Sequence, residues 1–102
     1  MKKAIVYIPT ETNEGQEIEG EIIDNLIAEV VEIAGGLTDK GLVEGYWKSR
    51  ETGEIMKDIN RQLEIGCNIN QLEEIKGVLL EIKDQLEQEA LYLEYDGEID
   101  FL

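Results

Sequence analysis

Few residues in this sequence carry catalytic chemistry. The 102 residues include no histidine, which excludes histidine-activated nucleophiles, histidine general bases and histidine metal ligands. Ser49 is the only serine, and it lacks the glycine-flanked turn that presents a nucleophile. Cys67 precedes a predicted helix, a position that can activate a thiol, but it has no basic neighbour in the sequence. We therefore expect Cys67 to pack in the core and predict that the protein is not an enzyme.

Carboxylates are the remaining candidates for chemistry, and they are numerous. With 24 Asp and Glu residues, some pair falls within catalytic distance by chance, so neither a glycosidase-like nor a metal–carboxylate site is specifically indicated. The best local cluster is Asp96, Glu98 and Asp100, which alternate along one predicted strand face. It lacks the other ligands of a calcium loop, so we interpret it as an exposed polar face and predict no metal and no cofactor.

The charge distribution singles out one segment of the chain. Residues 40 to 61 hold five Lys and Arg against four Asp and Glu, a net charge of +1, so a total of -15 leaves -16 for the remainder. Trp47, the only tryptophan, lies here with Lys48, Arg50 and Arg61. An aromatic plane beside cations can bind a nucleotide or another small anion. The alternative is that Trp47 anchors the core or a dimer interface.

The overall acidity has two interpretations. A net charge of -15 repels nucleic-acid backbones and anionic membranes, so we expect neither as a direct partner. A solvated surface that keeps the protein soluble would explain the charge. An acidic face that docks on a basic protein would also explain it, and the second predicted helix offers one, formed by Glu73, Glu81, Asp84 and Glu87.

The cysteine content and the lengths of the apolar runs indicate the cellular compartment. A single cysteine cannot form an intrachain disulfide, and only a short apolar run separates the initial lysines from Pro9, too short for a signal peptide. No apolar stretch approaches the roughly 18 residues that a membrane span needs. We expect a cytoplasmic protein.

Apolar spacing predicts the elements that position these residues. Residues 3 to 8 form a β-rich run with apolar side chains on both alternating faces, which predicts a central strand buried on both sides. From residue 22 to residue 34, apolar residues recur at spacings of three and four, which predicts a helix ended by Gly35 and Gly36. Residues 37 to 41 are a turn by composition.

Two hairpins and a second helix complete the chain. Residues 42 to 50 and 54 to 66 predict an antiparallel hairpin. Lys57 and Arg61 fall on the apolar face of its second strand, and we favour a bulge that turns them outward over two cations lying across the sheet. Asn68 with Gln71 predicts the capped start of a helix. Asp96-Gly97, between alternating runs, predicts a terminal hairpin.

This order predicts a ferredoxin-like split β-α-β sandwich. The pattern is β-α-β-β-α-β plus one C-terminal strand, in a single α+β domain over residues 1–102. Two helices are expected to cover one face of an antiparallel sheet. The other face, with Tyr46, Tyr92 or Tyr95 as candidates, is either solvated or a dimer interface.

Several segments together resemble a known kind of protein. They are Gly35-Gly36-Leu37-Thr38, Gly45-Tyr46-Trp47-Lys48, Thr52-Gly53, and Gln88-Glu89-Ala90-Leu91-Tyr92 to Asp96-Gly97-Glu98-Ile99-Asp100-Phe101. In this combination the chain resembles a set of short uncharacterised bacterial and phage α+β proteins. The resemblance implies a phage or bacterial source and agrees with the predicted fold, and it carries no activity.

Three functional hypotheses result. The first is a non-enzymatic acidic binding protein, a phage or mobile-element inhibitor that docks on a basic host protein. The alternative is an oligomeric protein, a dimer, that binds or sequesters a small nucleotide-like anion at the central hairpin. The third, least favoured, is a metal–carboxylate enzyme.

Overall fold

A computed structural model describes residues 1–12, 14–88 and 90–102. Along them the elements follow the predicted order: β1 (Lys2–Pro9), α1 (Gly20–Ala34), β2 (Thr38–Lys48), β3 (Ile55–Cys67), α2 (Ile69–Gln85), β4 (Tyr92–Tyr95) and β5 (Glu98–Phe101). The strands form one antiparallel sheet in the spatial order β2-β3-β1-β4-β5. Each helix connects strands that are not hairpin neighbours, which is the split β-α-β arrangement. The predicted ferredoxin-like α+β fold is confirmed.

The core lies between one face of the sheet and the two helices. Alternate residues of β1 point into it, because successive side chains of a strand lie on opposite faces. The buried set is Ala4, Val6, Ile8, Leu26, Val30, Leu63, Ile65, Cys67, Leu72, Ile75, Leu79, Ile82, Leu86, Leu91 and Leu93. Ile5 and Tyr7, on the other face of β1, are only half-buried. The prediction of a strand buried on both sides is therefore wrong for the face that no helix covers.

The helix ends follow the sequence signals. Gly35 ends α1 in the left-handed conformation, with φ of 88°, and its N–H donates to the Val31 carbonyl at 2.7 Å. At the start of α2, the Asn68 side chain accepts from the Gln71 N–H and the Gln71 side chain accepts from the Asn68 N–H, both at 2.9 Å. This reciprocal capping box fixes where α2 begins.

The β2–β3 hairpin departs from the sequence prediction in two places. Its first strand begins at Thr38, inside the segment assigned to a turn, because the ladder with β3 continues past a register shift between Asp39 and Gly41. The bulge thus lies on β2, and β3 pairs without a shift from Ile55 onwards. Lys57 and Arg61 stay on the apolar face of β3, where their cations pair with acids of β2. The favoured outward-turning bulge in β3 is wrong.

The terminal hairpin forms as predicted around Asp96 and Gly97, both of which have positive φ. Leu91 and Leu102 exchange backbone hydrogen bonds at its open end, at 2.9 and 3.3 Å. Tyr95 packs against the core and donates its hydroxyl proton to the Cys67 carbonyl at 3.1 Å. Neither helix in the described ranges has the length and apolar content to cross a membrane.

Candidate functional site

The far half of the β2–β3 hairpin extends beyond the rest of the sheet. β1 pairs with β3 only from Asn60 to Cys67, so residues 44–48 and 55–59 have only each other as ladder partners. At the base of these runs, the Ile59 carbonyl accepts from the Thr10 N–H at 3.2 Å and from the Thr10 hydroxyl at 3.0 Å. We call these two runs, with their connecting turn, the ribbon. The molecule is accordingly elongated, with extents of 42, 29 and 22 Å. A notch remains where the ribbon leaves the body of the protein.

This notch is a cleft of about 960 Å³. One wall is the ribbon, a second is the end of β1 with the segment that follows it, and the third is the segment that leads into the terminal hairpin. The lining residues are Tyr7, Pro9, Thr10, Glu11, Thr12, Gly45, Tyr46, Trp47, Met56, Lys57, Asp58, Ile59, Asn60, Gln88, Ala90, Leu91, Tyr92 and Phe101. Its size is that of a small-ligand site, and its wall is mixed aromatic and polar.

Aromatic rings form the wall on the side of the body. Tyr7 and Tyr92 stack with ring centroids 4.5 Å apart and planes at 12°, and Phe101 meets Tyr92 edge-on at 5.8 Å. The Tyr92 hydroxyl donates to Glu94 at 2.9 Å, and this hydrogen bond raises the pKa of Tyr92. The hydrogen bond and the stack fix the ring of Tyr92. The cleft therefore offers a preorganised flat surface on which a planar ligand can lie.

A carboxylate lies on the ribbon wall, close to the backbone. Gly45 and Asp58 are paired residues of β2 and β3, and a Cβ atom at residue 45 would stand 2.5 Å from Asp58 Oδ1. Glycine in a strand interior often marks such a close approach. The absence of a side chain at Gly45 thus leaves room for the Asp58 carboxylate in the cleft.

A second carboxylate, Glu44, neutralises Lys57 on the face of the ribbon opposite Asp58. Glu44 accepts a hydrogen bond from the Tyr46 hydroxyl at 2.8 Å and lies 3.3 Å from the Lys57 ammonium. The hydrogen bond from Tyr46, and then that from Lys57, lower the pKa of Glu44, while Glu44 raises the pKa of Tyr46. Lys57 is the only Lys or Arg among the described lining residues, and its ammonium pairs with Glu44 on that opposite face, whereas the acids Glu11 and Asp58 also line the cleft. The site is acidic.

The structure separates the four residues predicted to bind an anion. Trp47 lines the cleft, and Lys48, the next residue, lies on the opposite face of the ribbon. Arg61 is on that opposite face too, about 20 Å along β3 from the residue paired with Lys48, and it binds Asp39 at 2.7 Å. Arg50 lies in the connecting turn. Of the four, only Trp47 is brought to the cleft.

The predicted acidic face is exposed along α2. Glu73, Glu81 and Asp84 lie on the helix and Glu87 just beyond its end. Glu73 pairs with Lys76 at 3.6 Å. Glu81 borders a shallow groove between the helices, in which Glu29, Glu32 and Glu74 surround apolar side chains. Protein binding by this face stays a prediction.

Cys67 and the carboxylate cluster take the places expected for structural residues. Cys67 is fully buried, and its burial raises the pKa of the thiol, opposite to what a nucleophile needs. Asp96, Glu98 and Asp100 are exposed, and Asp100 lies 3.9 Å from the Lys76 ammonium. In residues 1–12, 14–88 and 90–102, no three Asp, Glu or Cys side chains come together as a metal site requires.

Sequence reasoning missed most of the cleft. Tyr7, Asp58 and Gln88 come from three distant parts of the chain and meet only in the folded sheet. One signal is available in the sequence: Gly45 interrupts a strand pattern, and the hairpin register places Asp58 opposite it. Of the candidates for the open face, the structure places Tyr92 there, beside Tyr7. The prediction is wrong for Tyr46 and Tyr95, whose side chains lie on the helix side of the sheet.

Comparison with known proteins gives matches in structure alone. No family model matches the chain, and no curated protein matches its sequence. The fold is similar to a phage SAM lyase in complex with S-methyl-5'-thioadenosine, at a TM-score of 0.67 and 10% identity, over 99% of this chain and 88% of that one. The same kind of enzyme in its apo state gives 0.64 at 13% identity, over 99% and 87%.

A third solved structure has the same architecture. The divalent cation tolerance protein CutA1 from Thermus thermophilus superimposes with a TM-score of 0.61 at 14% identity, over 99% of this chain and 81% of that one. Phage and bacterial proteins thus share this fold. At such low identities, the likeness establishes the architecture alone.

The first functional hypothesis is wrong in its non-enzymatic premise. That premise rested on missing histidine and serine nucleophiles, and a phage enzyme has this same architecture across 99% of the chain. A lyase breaks a bond of its substrate without forming a covalent intermediate on the protein, so it needs no nucleophilic side chain. The lack of such residues therefore does not argue against catalysis, and the inhibitor that docks on a basic host protein is set aside.

Proposed function

We propose that this protein binds S-adenosylmethionine in the cleft beside the ribbon and cleaves it as a lyase. The observation that carries the proposal is an acidic cleft with an aromatic wall, on a fold similar to that of a phage SAM lyase. Fold likeness alone would not support an activity. The support comes from the chemistry of the cleft wall.

The aromatic wall suits an adenine ring. The Tyr7–Tyr92 stack and the edge of Phe101 present a fixed apolar surface, and stacking of a base on an aromatic side chain contributes about 1 to 3 kcal/mol. Thr10, Asn60 and Gln88 line the same cleft and offer polar groups for the ring edge and the ribose. An adenosine moiety fits both parts of this wall.

The charge of the cleft selects among adenosine compounds. Nucleotides such as ATP are anionic, and a protein at -15 with carboxylates in the cleft repels them. S-adenosylmethionine has a sulfonium and an ammonium against one carboxylate, a net positive charge. Asp58 and the ring of Trp47 can stabilise a cation there, and a cation–π contact contributes about 0.5 to 2 kcal/mol. The acidity thus favours a sulfonium nucleoside.

The proposed reaction matches the residues present. The bond that breaks joins sulfur to the four-carbon amino-acid chain, and sulfur keeps the electron pair, which leaves neutral methylthioadenosine. The four-carbon fragment completes its valence by ring closure, in which its own carboxylate oxygen bonds to the carbon that sulfur leaves, or by loss of a proton from the neighbouring carbon to solvent water. No water or protein nucleophile is consumed, so a cleft that holds the substrate in its reactive orientation favours this step.

Calorimetry with methylthioadenosine tests the binding half of the proposal. We expect binding of methylthioadenosine and at least about tenfold weaker binding of ATP, because the cleft is acidic. Tyr92→Leu should weaken methylthioadenosine binding by about tenfold, since it removes the stack with Tyr7. Tyr95→Phe, outside the cleft, is the matched control and should bind normally. Equal affinities for ATP and methylthioadenosine, or no binding of either, would contradict the proposal.

A further inference from the structure

The β2–β3 hairpin has a second face, opposite Trp47 and Asp58, that the proposed ligand site does not use. Leu42, Tyr46, Ile55 and Ile59 lie there in register across the two strands, and we call them the hairpin apolar face. They are 59%, 64%, 76% and 40% exposed, and neither α1 nor α2 covers them. Leu42 and Ile55 do not line the cleft. Tyr46 and Ile59 are lining residues, but the strand alternation directs their side chains to this face, away from the cleft. Apolar side chains on both faces of a two-stranded ribbon need a partner outside the chain's own core.

The charges on this face are already neutralised within the chain. Lys57 pairs with Glu44 at 3.3 Å, and Arg61 pairs with Asp39 at 2.7 Å. These pairs lie between the apolar side chains, in the checkerboard that the strand alternation produces. A surface with large exposed apolar side chains, whose charged groups are already paired within the chain, has the composition of an interface that forms through apolar contact. Lys48 is the one cation of this face that forms no ion pair in the described ranges.

The uneven distribution of charge along the chain indicates which partner can approach this face. Residues 40 to 61 are at +1 and the remainder is at -16, so two copies that approach through their bodies repel each other. A basic foreign protein would be attracted to the body and not to the nearly neutral hairpin. The hairpin is the part of this chain through which another acidic copy can approach without that repulsion.

We propose that the hairpin apolar face is a self-association surface, occupied by a second copy of this chain. The contact is driven by burial of apolar area, which contributes roughly 25 cal/mol per Å². Added salt should therefore strengthen this association, whereas it weakens an association that depends on salt bridges. Added salt screens the repulsion between acidic bodies and leaves the apolar contact intact, so the assembly tightens as ionic strength rises. This inference is independent of the ligand of the cleft.

Analytical ultracentrifugation of the whole chain, at a series of concentrations, tests the inference. We expect a species of two or more chains at micromolar concentration and a dissociation constant at least about fivefold lower in about 0.5 M than in about 0.05 M NaCl. The double variant Leu42→Ser, Ile55→Ser should be monomeric at concentrations where the natural chain is assembled. Both side chains are exposed and outside the cleft, so the variant should fold and should keep any binding of methylthioadenosine.

The matched control changes two other exposed apolar residues, outside the hairpin. Ile69 and Leu80 on α2 are 57% and 45% exposed, and Ile69→Ser, Leu80→Ser should leave the assembly intact. A natural chain that is monomeric at about 100 µM would overturn the proposal. So would an assembly that the hairpin variant leaves unchanged, or one that dissociates as salt is added. If a foreign protein binds this face in place of a second copy, the purified chain should be monomeric, which is the first of these outcomes.

Discussion

The carboxylate of Asp58 occupies the space that a side chain at Gly45 would need. The two residues pair across β2 and β3, and an added Cβ atom would lie 2.5 Å from Asp58 Oδ1 and 3.6 Å from its Cγ. The contact involves only the end of a short exposed side chain, which can rotate away. A change at residue 45 should therefore alter the cleft more than it alters the stability of the fold.

Gly45→Ala tests this relationship. The added methyl group displaces the Asp58 carboxylate from its place in the cleft, so S-adenosylmethionine binding should weaken by about tenfold, or roughly 1.4 kcal/mol. The melting temperature should change by less than about 3 °C. Gly77→Ala is the control, since nothing lies within 4 Å of its added Cβ, and helix propensity favours it by about 1 kcal/mol. A stable Gly45→Ala variant with unchanged binding would remove Asp58 from the site.

Asp58→Asn separates charge from shape. The amide keeps the size of the carboxylate and removes the negative charge, so binding of cationic S-adenosylmethionine should fall by about tenfold. Binding of neutral methylthioadenosine should change by less than about twofold. Glu54→Gln removes an exposed acid of the same hairpin outside the cleft and should affect neither ligand. Equal losses for both ligands would show that the charge of Asp58 does not select the sulfonium.

The Asp39–Arg61 contact predicts a pH dependence of stability. A hydrogen bond from the Gly41 N–H, together with Arg61, holds the pKa of Asp39 below its ordinary value in the folded protein. The stabilisation is therefore complete above the pKa of an unfolded aspartate, about 3.9, and is lost as the pH falls through the lower folded pKa.

Thermal melts of Asp39→Asn from about pH 7 to about pH 2, below the lowered folded pKa, measure this contribution. Because the pair is partly exposed and screened, the loss at neutral pH should be only about 0.5 to 1 kcal/mol, a few degrees in melting temperature. The natural chain and the variant should converge at the acid end. Asp24→Asn, an exposed acid on α1, is the control. A difference that grows on acidification would contradict the assignment.

The fold was predictable where a pattern depends on neighbours in the sequence. The spacing of apolar residues determines both helices, Asn68 with Gln71 caps α2, and Asp96-Gly97 forms the terminal turn. The β2 bulge was not predictable, because a register shift depends on which residues of β3 lie opposite. Lys57 and Arg61 were misassigned for the same reason: Glu44 and Asp39, which hold them on the sheet face, are distant in the sequence.

The cleft was less accessible to sequence analysis than the fold. Trp47 could be identified by type, yet its expected companions Lys48 and Arg61 lie on the opposite face of the hairpin. The aromatic wall joins Tyr7, Tyr92 and Phe101, and only the pairing of β1 with β4 and of β4 with β5 brings them together. The excess of cations near Trp47 indicated an anion, whereas the strand alternation turns the side chain of Lys57 to the opposite face as well and leaves Glu11 and Asp58 in the cleft.

Cys67 should be unreactive in the folded protein. It is buried, and desolvation raises the pKa of its thiol, so little thiolate exists at neutral pH. Reaction with a thiol-specific chromogenic disulfide should be more than about tenfold slower in buffer than in denaturing urea. Fast labelling of the folded chain would show that the strand end around Cys67 opens readily.

Incubation of the purified protein with S-adenosylmethionine, followed by chromatographic separation of the nucleosides, shows whether the cleft cleaves this compound. Methylthioadenosine should accumulate with time and protein concentration, and Asp58→Asn should form it more slowly than Glu54→Gln. S-adenosylmethionine recovered intact at the rate of the protein-free control, with no binding of methylthioadenosine by calorimetry, would contradict the proposed function.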